Sequence, residues 1–353
     1  MRKRKLLLFL FSAAMVLAGW GTSGWSDLLI NGAGATFPYP IYSKWFDVYS
    51  KQHPGIHFNY QSIGSGGGIR MVTQKTVDFG ASDAPMNDEQ LKAAPGLLHF
   101  PTVMGAVVIA YNVPEVSAAL KLTGPVVADI FMAKITKWND PAIAKLNPGV
   151  NLPDSDITPC HRSDGSGTTY IFADYLSKVS PDWSKGMGKA TSLKWSGGLG
   201  GKGNEGVTAL VQQTPGAIGY IELVYALNNH ITFAELQNHD GKFVTASLAG
   251  VTAAGDAAAR LSNRLRVDVN MPAEFRVSIT DSPGADSYPI SSFTYLLVYR
   301  QQTDKAKGQQ IIDFLKWAVH DGQQYGPSMQ YAPLPDPVVA LEDKQIKEIR
   351  LPK

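Results

Sequence analysis

The stretch RSDGSGTT, residues 162–169, gathers an arginine, an aspartate, two glycines, two serines and two threonines ahead of an apolar run. Three chemistries are open to such a set: a nucleophilic serine, a cradle for an oxyanion, or an ordinary helix cap. Three further segments share its form, a small or glycine-rich turn opening a predicted helix: GAGATFP (32–38), IGSGGG (63–68) and ASDAP (81–85). The first turn of a helix exposes N–H groups with no intrahelical acceptor and carries the positive end of the helix dipole, so such starts bind anions. Glycine lets the backbone approach closely, and Ser and Thr add hydroxyl donors. Each segment alone is a weak signal. Ser166 reads first as a cap, Asp83 before Ala-Pro as an Asx-turn residue, Arg162 and Asp164 as a surface pair, and Ser65 as loop. The recurrence carries more weight, because four such turns can converge on one cleft.

Enzymatic patterns fail at named positions. A nucleophile elbow needs glycine two before and two after the serine, whereas Ser166 has Asp164 and Thr168 there and Ser65 has Ile63 and Gly67. A phosphate-binding loop of the Walker type needs G-x-x-x-x-G-K-[ST], and SGGLGGKGN offers Ser196 for the first glycine and Gly203 after Lys202. GAGATF puts Phe37 where a dinucleotide fingerprint needs its third glycine. The seven histidines show no metal-ligand spacing, and Pro54-Gly55 breaks the helix that would align His53 with His57. The expectation is therefore no catalytic residue, no metal and no cofactor.

Stepping from these turns to the elements that hold them, short β-type runs alternate with glycine-led helical segments. HFNYQSIG (57–64) and VDFGAS (77–82) read as strands, with helical stretches predicted at 69–75 and after a cap at Asn87. Pro38 suits the first helical turn, ahead of a face carrying Ile41, Trp45 and Val48. Ile171, Tyr175, Leu176 and Val179 mark a buried helical face, as do Ile311, Ile312, Leu315 and Ala318. Such alternation predicts an α/β protein with mainly parallel sheets. Residues 101–112 and 289–299 each set a proline before a long strand-like run, the pattern of two crossings between lobes. The division that follows places 27–102 plus 290–353 in lobe one and 103–289 in lobe two.

Length and composition bound the rest. A chain of 353 residues with 44% hydrophobic content suits two packed domains, and a net charge of +2 offers no basic face for nucleic acid. MRKRK followed by the apolar residues 6–18 has the form of a secretory signal, with cleavage expected between 19 and 26, so that residues 1–26 are approximately the signal. No other stretch is long and apolar enough to span a bilayer. The single cysteine, Cys160, allows no internal disulfide and reads as a small buried hydrophobe. Export without disulfides points to a bacterial periplasm.

The ordered set GAGATFP, IGSGGG, VDFGASDAP, FPTVMGAVV, ITKWNDPAIAKLNPG, RSDGSGTT, GLGGKGNEGV and PGAIGY, closing on YAPLP (331–335), resembles the periplasmic phosphate-binding proteins of Pst-type ABC transporters. That resemblance implies the two-lobed type II periplasmic binding-protein fold, with phosphate enclosed in a cleft between lobes and two crossover strands. Carried over by motif, it implies donors from Thr36, Phe37 and Ser65 on one side and from Arg162, Ser166, Gly167 and Thr168 on the other. Asp83 completes the implied site as an acceptor, and Asp164 pairs with Arg162 and orients it. Phosphate keeps a proton near neutral pH and sulfate does not, so a buried carboxylate accepts from one and repels the other. Where the family commonly has a second serine after Ser65, this chain has Gly66. The implied partners are inorganic phosphate and an inner-membrane ABC permease and ATPase complex, with a monomer expected. The competing readings are a binding protein for another tetrahedral oxyanion and a secreted phosphatase using Ser166. A DING-type phosphate binder is a third, against which stand the extra residues in DLLINGAGATFP and the lack of paired cysteines.

Overall fold

The computed structural model describes residues 27–116, 118–264 and 275–353. The expected signal at residues 1–26 lies outside them. Among the described residues no helix is long and apolar enough to cross a membrane.

The strands are β1 (Leu28–Gly34), β2 (Ile56–Ser62), β3 (Phe79–Ser82), β4 (Leu97–Tyr111), β5 (Lys121–Leu122), β6 (Thr158–Arg162), β7 (Leu199–Gly201), β8 (Ala217–Glu222), β9 (Glu235–Gln237), β10 (Phe243–Val244) and β11 (Ser291–Tyr299). Eight of them form one sheet in the order β2-β1-β3-β11-β4-β8-β6-β7, and β10-β9-β5 form a small second sheet. The outer blocks β2-β1-β3 and β8-β6-β7 are each parallel, as the βαβ pattern predicts. The centre is antiparallel, because β4 leads out of the first block and β11 returns to it. The two parallel blocks with their helices are the two lobes, and β4 and β11 are the crossover strands.

Every residue of β4 is buried, consistent with its near-continuous apolar run LLHFPTVMGAVVIAY. The strand starts at Leu97, four residues before the predicted Pro101. Proline has no N–H to give a ladder, and here the register with β11 shifts between Thr294 and Tyr295, opposite Pro101 and Val103. Thr102 bulges between them and its hydroxyl donates to the Thr294 carbonyl at 3.2 Å.

A second difference lies in the glycine run. The helix there spans Ser65–Thr73 rather than 69–75, so Gly66, Gly67 and Gly68 sit inside its first turns. Each costs about 1 kcal/mol against alanine in a helix, but a Cβ at Gly68 would stand 2.5 Å from the Ala81 carbonyl oxygen and 2.6 Å from the Gly34 Cα. The close seat of this helix on β1 and β3 is what requires glycine. Pro38 is the N-cap of the helix Tyr39–Gln52 and Pro40 takes the first-turn place, while Ile41 and Trp45 are fully buried as expected. Asn87 caps the helix Asp88–Ala93 in a reciprocal box with Gln90. Helix Lys305–Val319 buries Ile311, Ile312, Leu315 and Ala318. Cys160 is buried, and burial pushes its thiol up to about 11.

Candidate functional site

Thr36 and Phe37 follow β1, Ser65 follows β2, Asp83 follows β3, and Arg162 ends β6 just before the helix Gly167–Val179. All of these points lie at the carboxyl ends of parallel strands, where open α/β sheets hold their ligands. The structure brings the whole predicted set together. A Cβ at Gly167 would collide with the Ser65 hydroxyl and stand 2.6 Å from both Cβ and Oδ2 of Asp83. Only glycine lets this helix start approach the opposite lobe so closely. The two lobes also meet through their backbones, the Gly66 N–H donating to the Gly165 carbonyl at 2.8 Å.

The hydroxyls of Thr36, Thr168 and Ser166 are held so that their protons are free for a further acceptor. A hydroxyl has one proton and two lone pairs. Thr36 Oγ1 accepts from the Asn204 backbone N–H at 3.1 Å and from its side-chain Nδ2 at 2.8 Å. Thr168 Oγ1 accepts from Arg162 Nη1 at 3.2 Å and from the same Asn204 Nδ2 at 3.1 Å. With both lone pairs engaged by N–H donors, each threonine is left as a donor. Ser166 is indeed a cap, its Oγ accepting from the Thr169 N–H at 3.0 Å, and its proton remains to be donated. Capping Thr169 leaves the N–H groups of Gly167 and Thr168 as the first-turn donors of that helix. Ser65 differs, its Oγ accepting from the Asp83 N–H at 3.1 Å and donating to Asp83 Oδ2 at 3.4 Å. Phe37 is fully buried, its carbonyl held by the Tyr331 hydroxyl at 2.7 Å.

The charges are arranged with equal care for partners. Arg162 forks onto Asp164, Nε to Oδ1 at 2.8 Å and Nη2 to Oδ2 at 2.6 Å, with the arginine side chain 1% exposed. Burial alone would raise the Asp164 carboxyl, but the Arg162 bonds and the Gly203 N–H outweigh it and hold it below the ordinary range. Asp83 has no such fork. Burial pushes it up to about 7, against the pull of the Thr294 hydroxyl, the Arg162 charge and the Ser65 hydroxyl. The Thr294 bond to Asp83 Oδ1 is 2.8 Å. The cleft thus pairs one ionised acid with its arginine and keeps a second acid poised near neutrality, among donors from both lobes. That is a receptacle for an acceptor-rich anion carrying an exchangeable proton.

Sequence reasoning missed Asn204, Thr294, Tyr220 and Tyr225. Asn204 lies in GLGGKGNEGV at the start of the helix Gly203–Gln213, the same form as the other four turns. Tyr220 braces the arginine strand by accepting the Arg162 N–H at 3.0 Å, and Tyr225 donates to the Thr36 carbonyl at 2.6 Å. Thr294 sits in an apolar strand with nothing in its neighbours to mark it. Among the described residues no group of His, Cys, Asp and Glu could hold a metal ion.

Residues 21–321 match the model of a PBP superfamily domain, which sets the class to which this fold and cleft belong. The phosphate-binding protein PstS of Pasteurella multocida is 44% identical over 348 residues, covering 98% of this chain and 96% of its own. PstS of Xylella fastidiosa strain 9a5c is 45% identical over 311 residues, covering 88% of this chain and 82% of its own. Among solved structures, a high-affinity periplasmic phosphate-binding protein (PfluDING) bound with phosphate shares the fold, with a TM-score of 0.70 at 21% identity over 90% of this chain and 93% of that one. The chain belongs to the PstS family of phosphate-binding proteins, a family of solute-binding proteins rather than enzymes.

Proposed function

We propose that this chain binds inorganic phosphate in its cleft, in the periplasm, and hands it to an inner-membrane ABC permease and ATPase complex for import. The observation that carries this reading is the pair of threonine hydroxyls whose lone pairs are already taken by N–H donors, placed with Asp83 between the lobes. Thr36, Phe37, Ser65, Arg162, Ser166, Gly167 and Thr168 are the donors, Asp83 is the acceptor of the phosphate proton, and Asp164 orients Arg162. Because Asp164 takes up the Arg162 charge, the ligand is held mainly by hydrogen bonds from dipoles and hydroxyls, which suit phosphate through geometry as well as charge.

Lobe one comprises residues 27–102 and 290–353, and lobe two 103–289. The change of partner along β4, from β11 at Ala106 to β8 at Val107, supports a division within that strand. Export by an N-terminal signal and a monomeric receptor complete the reading. Family membership at 44–45% identity supports phosphate over other oxyanions. Against a phosphatase, Ser166 Oγ serves as the cap of Thr169, and no base among the described residues hydrogen-bonds to it.

Calorimetric titration of the mature protein with phosphate and with sulfate tests the proposal. One phosphate per chain, with sulfate bound far more weakly, is expected. Arg162→Ala should weaken phosphate binding by roughly 1.5–3 kcal/mol, the worth of a charge-assisted bond. Equal heats for the two anions, or no effect of the substitution, would refute it.

A further inference from the structure

The helix Gly203–Gln213 has no cap from its own N-cap residue, Lys202. Its first N–H groups go elsewhere: that of Gly203 to Asp164 Oδ1 at 3.0 Å, and that of Asn204 to Thr36 Oγ1 at 3.1 Å. Thr36 comes from the opposite lobe, 168 positions away in sequence. A Cβ at Gly203, where φ is +71°, would stand 3.3 Å from the Thr36 methyl, so the two lobes touch at this helix start.

Asn204 is fully buried and every polar atom of its side chain is used. Its Nδ2 reaches Thr36 Oγ1 on one lobe at 2.8 Å and Thr168 Oγ1 on the other at 3.1 Å. Its Oδ1 accepts from the Glu222 N–H at 2.9 Å, which fixes the orientation of the amide. One side chain therefore fills a lone pair on each of two ligand-facing hydroxyls, one from either lobe. Without Asn204, either hydroxyl regains a free lone pair and its proton is no longer directed into the cleft.

We infer that Asn204 is a positioning residue that converts closure of the lobes into alignment of the Thr36 and Thr168 protons. Thr36 in turn serves as the cap of the Gly203–Gln213 helix across the cleft, so opening the lobes uncaps the helix. This rests on the phosphate reading and assigns to it the device that couples closure to affinity.

The test compares phosphate affinities of the parent, Asn204→Ala, the Thr36→Val/Thr168→Val pair, and all three changes together, each checked for folding by thermal melting. Asn204→Ala should weaken binding ~10–100-fold in the parent background but less than about 3-fold once both hydroxyls are gone, because it acts through them. The same fold-loss in both backgrounds would mark Asn204 as merely structural and overturn the inference. A second readout uses no Asn204 variant: hydrogen exchange at the Asn204 amide should slow at saturating phosphate in the parent and not in Thr36→Val. An amide rate indifferent to phosphate in the parent overturns the cross-lobe cap. A parent that takes up no phosphate overturns the earlier reading and this one with it, whereas a binding parent with additive variants overturns this one alone.

Discussion

Asp83 and Asp164 are two buried acids in one cleft, and their surroundings push their carboxyls in opposite directions. Asp164 meets the fork of Arg162 and the N–H of Gly203, which outweigh its burial. Asp83 meets hydroxyls at Thr294 and Ser65 and no arginine of its own, so burial wins. One acid consumes a charge, and the other is left able to carry a proton near neutral pH. The stability terms also run oppositely. Asp83, raised from 3.8 to about 7, contributes stability that is complete below the ordinary carboxyl range and is lost as pH rises through 7. Asp164, lowered, contributes stability that is present above that range and lost as pH falls through its own pKa.

The sharpest way to break the contrast is to remove the charge at each acid in turn. At pH 8, where the parent acid is mostly ionised, Asp83→Asn should lower the ratio of phosphate to sulfate affinity by at least about tenfold, because the amide N–H₂ now faces the unprotonated sulfate oxygen. Competition titrations measure it, and an unchanged ratio would place selectivity elsewhere. Asp164→Asn should instead act on the fold, costing ~2–3 kcal/mol in urea unfolding by leaving Arg162 without its fork in a buried place. Its phosphate affinity should move by less than about tenfold, since a looser arginine and the loss of a repelling carboxylate oppose each other. If Asp164→Asn shifted selectivity as Asp83→Asn does, the division of labour between the acids would be wrong.

A gentler probe is pH. With Asp83 near 7, its protonated fraction climbs from about one tenth at pH 8 to nearly all at pH 5, so sulfate binding should strengthen about tenfold over that span. A sulfate affinity flat across it would show that Asp83 stays ionised or does not face the ligand. The smallest effect should come from Gly66→Ala, which touches neither acid. A Cβ there would stand 3.1 Å from the Gly165 Cα, a tight but not forbidden fit. Phosphate and sulfate affinities should fall together by less than about 5-fold, and a change in their ratio would count against assigning selectivity to Asp83.

Much of this is legible in the sequence. The apolar runs of β4 and β11, the capping pattern at Asn87 and the helical face of 305–319 follow from period and punctuation, which local sequence carries. The glycine run was harder, because propensity argues against a helix at Ser65 and only the nearness of Ala81 and Gly34 explains it. At the site, hydroxyls and glycines at helix starts marked the anion cradle, and the ordered motifs supplied the residue set. Asn204 shares that form in GLGGKGNEGV, but the sequence does not single it out, since its bonds to Thr36 and Thr168 depend on how two lobes meet. Thr294 lies 211 positions from Asp83, in a strand whose composition says only that it is buried.

The run of β4 has a mechanical consequence. Residues 97–106 are zipped to β11 and 107–111 to β8, without an intervening loop. Heat or denaturant cannot dismantle one side of the molecule without stripping hydrogen bonds from a strand whose continuation anchors the other. Melting should accordingly follow a single cooperative transition, with calorimetric and van't Hoff enthalpies in agreement, even though the ligand enters between two bodies.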